Sequence, residues 1–233
     1  MQKRSILSCP IEFDRTDFLH LLSLSAGRSI ACQNKMGEFV IGDNGWTVDV
    51  KNGTMTFGEA VFRSGVLGSE SEQSGTWLWS WANTESGLAE IVCAPSRRAK
   101  KALPDTPEFQ NGKFMLDELH TGHNLAMVSC AVAEKNICYY RCPYSGGAAF
   151  VTVEGLPDEV FAALDAQSFV KQYMEIVSCF YCDHRLLAAG FLYQNGTDFT
   201  STPASITAHF PERDVTLLFE PFEGLSRLTD LRL

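Results

Sequence analysis

The stretch Thr76-Trp77-Leu78-Trp79-Ser80-Trp81-Ala82-Asn83 holds three of the chain's four tryptophans at every second position. On an extended strand, successive side chains alternate between faces, so Trp77, Trp79 and Trp81 share one. Three indoles on one side make a broad aromatic wall. Such a wall can floor a cleft for an apolar or flat ligand, with indole N–H groups to orient it. It can also pack beneath helices as core, the commoner use of an aromatic stripe. Trp46 suits either arrangement, and Asn83 closes the candidate set at the strand's end.

Tyr139 and Arg141 join that set. Arg141, between a strand and a turn and near Tyr144, can bind a carboxylate or pair with a structural Glu. Metal ligation has weaker support. Cys179-x-x-Cys182-x-His184 has close spacing, and Cys138 and Cys142 lie upstream. Zinc needs four ligands converging as a tetrahedron. Here Cys179 and Cys182 fall in a helical pattern and Cys138 on a strand, with no Gly-rich knuckle around either pair. Packed free thiols are the preferred reading. His120 and His123, three apart, share one helix face near Glu118 but have no placed third ligand. No metal or cofactor is assigned. Neither a Gly-x-Ser-x-Gly elbow nor a Gly-rich phosphate signature occurs, so no catalytic residue is assigned. Arg97, Arg98, Lys100 and Lys101 form a basic cluster that can meet phosphate or an acidic partner, or simply complement a helix C-terminus.

The elements that must position these residues are legible in outline. Asp14-Arg15-Thr16-Asp17 starts a helix that runs through Phe18, Leu21, Leu22 and Leu24 to a C-cap at Gly37. Trp46–Val50 and Thr54–Phe57 alternate around Asn52-Gly53, the signature of a two-residue hairpin. Strands at 60–67 and 76–82 extend this into a four-stranded antiparallel meander, with a flexible polar connection at 68–75. A short helix is expected at 86–93 and a long one at 116–135. Strands at 137–141 and 148–153 meet at a Gly146-Gly147 turn. A helical stretch begins at Pro157, restarts at Asp165 and runs to about Ala189, broken by Gly190 and Asn195-Gly196. Strands at 205–210 and 215–219 close the chain. Helix followed by hairpin thus occurs at 15–57 and, weakly, again at 167–219.

Composition bounds the class. The chain has 233 residues, 45% of them hydrophobic and 20% charged, ample for a continuous core. Its net charge of −9 disfavours nucleic acid and anionic membrane surfaces as partners and suits a basic protein. No run approaches the roughly 18–20 apolar residues that span a bilayer. The basic N-terminal run from Met1 to Pro10 is too short in apolar residues for a signal peptide. A cytoplasmic location follows as the expectation, with the eight cysteines as free thiols.

Gly53-Thr54-Met55-Thr56-Phe57, Leu67-Gly68-Ser69 and the tryptophan strand 76–83 resemble an uncharacterised bacterial family of unknown function. Its members carry a Trp-x-Trp-x-Trp-Ala-Asn strand after a short hairpin. Tyr139-Tyr140-Arg141-Cys142-Pro143 is similar to a later segment of that family. The likeness spans about residues 15–153; it implies a bacterial origin and supplies no activity. The reading is an α+β fold with antiparallel sheets and long helices packed on one face. Residues 1–155 form the part resembling the family, and 156–233 form a helix plus hairpin packed into the same domain. The function stays open between classes. A non-enzymatic binding or interaction protein is favoured, of immunity type in one form. A small-ligand module floored by the tryptophans and a metal-dependent enzyme are the alternatives.

Overall fold

A computed structural model describes residues 3–233; Met1 and Gln2, which open the basic N-terminal run, lie outside the described residues. The first helix, α1 (Phe18–Met36), starts as its sequence predicts. The Asp17 carboxylate accepts from the Leu19 and His20 N–H groups, and Phe18, Leu21, Leu22 and Leu24 are buried. Its end differs. Gly37 keeps a right-handed φ of −57°, a π-helical turn follows over Gly37–Ile41, and the chain turns at Gly42 (φ +50°).

Strands β1 (Trp46–Asp49) and β2 (Thr54–Phe57) pair antiparallel, but not through a two-residue turn. Asp49 pairs with Thr54, and its carboxylate accepts from the Lys51 and Asn52 N–H groups. That side-chain acceptor favours a wider loop in which only Gly53 has positive φ.

The long strand β3 (Ala60–Ser71) organises the first sheet and absorbs much of the expected connection. The last strand of this sheet, β7 (Gly147–Glu154), pairs with it from Arg63 to Ser71. β2 pairs with residues 60–63 of β3, and β4 (Thr76–Trp79) pairs with residues 68–71. Arg63 and residues 68–71 already pair with β7, so β2 and β4 share the opposite edge. The Val92 carbonyl accepts from Val66 N between them. The four strands therefore do not form a simple meander. β5 (Lys113–Met115) adds to β4, and β6 (Ile137–Tyr144) forms a hairpin with β7.

Three helical expectations change. Residues 86–93 form no helix; the basic cluster itself lies in α2 (Ala94–Ala102). After the short α3 (Pro107–Gln110), residues 116–121 stay non-helical because the Asp117 carboxylate takes the Leu119 and His120 N–H groups. Thr121 then caps α4 (Gly122–Val132). The single late helix is two: α5 (Ala166–Cys179) and α6 (His184–Asn195), the second capped by Asp183. Gly190 sits inside α6 rather than breaking it. A Cβ there would lie 2.1 Å from the Leu24 carbonyl oxygen, so α6 crosses α1 with backbones in contact. Gly196, at φ +79°, ends α6.

The second sheet has four strands in the order β11-β10-β9-β8: β8 (Asp198–Ser201), β9 (Ser205–His209), β10 (Asp214–Phe222) and β11 (Leu225–Arg232). α4 lies on β3, β6 and β7; α1 packs on α4 and α6; α6 lies on β8, β9 and β11. Helices therefore fill the space between two antiparallel sheets, and the architecture is α+β. The order helix, strand, strand recurs in α1-β1-β2 and α6-β8-β9, but the two sheets differ in strand number and connection. One apolar cluster takes Trp77 and Phe150 from the first sheet, Leu21 and Leu125 from the helices, and Val215 and Leu217 from the second sheet. The other face of the first sheet holds a smaller cluster around Phe57, Val66, Val151 and Val153.

Candidate functional site

The tryptophan wall is split by local hydrogen bonding. Trp77 and Trp79 share a face of β4, with ring centroids 5.1 Å apart in a T-shaped pair, and both have no accessible surface. Trp77 meets Phe150 and Trp79 meets Phe109; Trp79 Nε1 donates to the Glu108 carbonyl at 2.7 Å. The strand stops at Ser80. Its hydroxyl donates to Val66 O at 2.6 Å and shares a 2.7 Å bond with Ser96 Oγ, winding Ser80–Ala82 into a 3-10 turn. Trp81 is therefore not the third indole on a strand face. It is half-buried, with the Lys100 ammonium 3.4 Å above its ring. Asn83 organises the next turn, its side-chain oxygen accepting from Ser86 N. Trp46 lies in the other cluster, against Tyr140 at 5.5 Å, and does not join Trp77 and Trp79. A ligand reaches Trp77 and Trp79 only if the core opens.

Tyr139 and Arg141 fall into a polar cluster at the start of α4. The Tyr139 hydroxyl and His123 Nδ1 are 3.1 Å apart, and burial pushes the Tyr139 phenol above its ordinary range. Arg141 sends Nε and Nη2 to Glu70 Oε1 at 2.8 and 2.7 Å, an ion pair that spans β7 from β6 to β3. Its carboxylate partner is internal.

The metal candidates separate. His120 precedes α4 and lies between Asp117 (2.9 Å) and Glu108 (3.1 Å), whereas His123 is within α4, so they share no helix face. Cys179 ends α5 and is exposed, while Cys182 is buried and its thiol is pushed up to about 12 by burial. His184 Nδ1 accepts from Leu228 N at 3.1 Å, and burial lowers its ring's pKa. Among the described residues no three His, Cys, Asp or Glu side chains converge as a metal site.

A groove with room for a ligand lies elsewhere. α2, the C-terminal end of α4 and the start of β6 enclose a groove of about 680 Å³. Leu67, Ala99, Val132 and Ile137 form an apolar floor. Arg98, Lys101 and Lys135 rim it, with Glu134. α2 supplies this because its small residues Ala99 and Ala102 face the groove while the long cations reach solvent. Glu154 accepts both Arg98 (3.6 Å) and Lys135, one carboxylate against two cations. Arg97 and Lys101, exposed on the same helix, have no ion-pair partner among the described residues. The basic cluster was visible in the sequence; its apolar floor comes from Leu67, Val132 and Ile137, which no spacing rule joins to it.

Fold and groove together define an α+β protein whose helices lie between two antiparallel sheets, with a cationic, apolar-floored cleft on one side. Residues 20–156 match the family of unknown function DUF6882, and the chain belongs to that family. The matched segment covers all of the first sheet, α2 and α4 and most of α1, and so includes the whole groove. No curated protein and no solved structure matches the chain. Among the described residues no helix is long and apolar enough to cross a membrane.

Proposed function

We propose that this chain is a non-catalytic binding protein of the bacterial cytoplasm whose groove between α2, α4 and β6 holds an anionic amphiphile. By this we mean a small molecule with one carboxylate, phosphate or sulfonate head on an apolar body. The supporting observation is the pairing of an apolar floor with unbalanced rim cations on a chain whose net charge is −9. A cationic face on so acidic a chain attracts an anionic head locally, while the floor takes the apolar body. The groove's volume lies within the range of about 300–1,000 Å³ of small-molecule sites. The unpaired state of all eight cysteines supports a reducing compartment. The tryptophan motif's likeness to a bacterial family supports the origin.

The test is titration with 8-anilinonaphthalene-1-sulfonate, an anionic apolar fluorophore. Saturable enhancement is expected from the native protein, and Lys101→Glu should weaken binding about tenfold, roughly 1.4 kcal/mol. Equal affinity in the two proteins would defeat the reading. The net charge of −9 favours a second reading, an immunity-type protein that neutralises a basic antagonist. That reading calls for a tight complex with a basic protein encoded beside it, and this complex should tolerate Lys101→Glu.

A further inference from the structure

We propose that a second, smaller cavity, between the N-terminal segment, α1, α4 and β6, is a site for one small halide-class anion held by Lys3 and Arg28. This goes beyond the groove: the two share only Ile137 in their linings, and neither Lys3 nor Arg28 lines the groove. Both cations line the same small cavity, together with Cys32, Gln33, Cys130 and Cys138. Arg28 is only 7% exposed. Its guanidinium donates to the Phe161 carbonyl at 2.5 Å, and more weakly to Ala162 O (3.3 Å) and Asn195 Oδ1 (3.4 Å). The Lys3 ammonium donates to the Cys130 carbonyl. Every one of these acceptors is neutral.

Neither cation has a carboxylate partner among the described residues. The ionisable groups around Lys3 are the thiols of Cys32 on α1, Cys130 on α4 and Cys138 on β6, together with the Arg28 charge itself. Burial raises all three thiols, Cys130 to about 12, so they carry no compensating charge at neutral pH. Lys35 adds a third cation by bonding to the same Ala162 carbonyl.

Uncompensated charge is costly where it is desolvated, fully for the buried Arg28 and in part for the half-buried Lys3, and two responses can relieve it. Burial lowers the Lys3 pKa, which provides part of the relief. Arginine does not give up its proton in proteins, so the Arg28 charge persists whatever Lys3 does. An anion between them answers both. The space open to water-sized centres is about 30 Å³. That exceeds the roughly 10–15 Å³ a single water needs and suits a monatomic ion better than a tetrahedral oxyanion.

The experiment compares melting of the full chain in sodium chloride and in sodium gluconate at equal ionic strength, with bromide as a crystallographic probe. Chloride is expected to raise Tm saturably by about 2–4 °C over gluconate. Lys3→Met should shift the midpoint of that titration to higher chloride, and Arg28→Gln should abolish the response. Bromide should give an anomalous peak in the cavity, a readout that needs no variant to fold. Equal Tm in the two salts, a response unchanged in Lys3→Met, or bromide bound only elsewhere would each overturn the assignment.

Discussion

Asp183 ties three layers of the molecule together. One carboxylate oxygen accepts from Leu186 N and caps α6; the other accepts from Ser226 N of β11, both at 2.8 Å. Its own N–H donates to Ser23 Oγ of α1 at 2.9 Å. Asp183 is 6% exposed, so water cannot replace these partners. Asp183→Ala should cost about 2 kcal/mol, combining a lost helix cap and an orphaned strand N–H. It should be read as a lower urea midpoint at unchanged slope. A shift within a few tenths of a kcal/mol would contradict this role. The helix start at its counterpart Asp17 was legible because Asp14 and Asp17 precede a clear apolar period. Asp183 was not, since it lies inside what reads as one continuous helix.

At the scale of elements, the crossing of α1 and α6 sets the molecule's centre. Gly190 permits it: an added Cβ would meet Leu24 O at 2.1 Å and Leu24 Cα at 2.6 Å, both backbone atoms that cannot rotate away. In a helix with free space, Gly→Ala stabilises by roughly 0.4–1 kcal/mol. Here Gly190→Ala should instead destabilise by about 1–3 kcal/mol, because the helices must separate. The sign of the Tm change is the test, and a rise would show that the crossing yields. The sequence marks Gly190 as a breaker because glycine's low helix propensity is a local property. Close approach to Leu24 is a distant one. The same division explains β4: alternation over 76–82 reads as one strand, but the Ser80 hydroxyl finds Val66 and Ser96 and ends it at Trp79.

Across the whole molecule, a single apolar cluster includes side chains from both sheets and the helices between them. Residues 156–233 contribute Phe169, Leu187, Phe191 and Leu217 to it, against Leu21, Leu24 and Trp79 from the earlier part. Cutting the chain near 155 would expose the faces of α1 that α6 covers. One cooperative unfolding transition is therefore expected. Tryptophan fluorescence, which reports Trp46, Trp77 and Trp79 in the first sheet and Trp81 just after it, should lose signal at the same urea concentration as far-UV circular dichroism. Two separated midpoints would show that the segments fold apart.

The amino-acid order alone set the α+β class, the start of α1, the β6–β7 hairpin and the basic run of α2. These depend on patterns within a few residues: caps, alternation, turn glycines and charge. Tertiary structure decided which indoles face the core, where the late helix breaks, which strands share the edges of β3, and that a cationic helix lies over an apolar floor. Each of those outcomes turns on a contact between residues far apart in the chain, and no local period encodes such a contact.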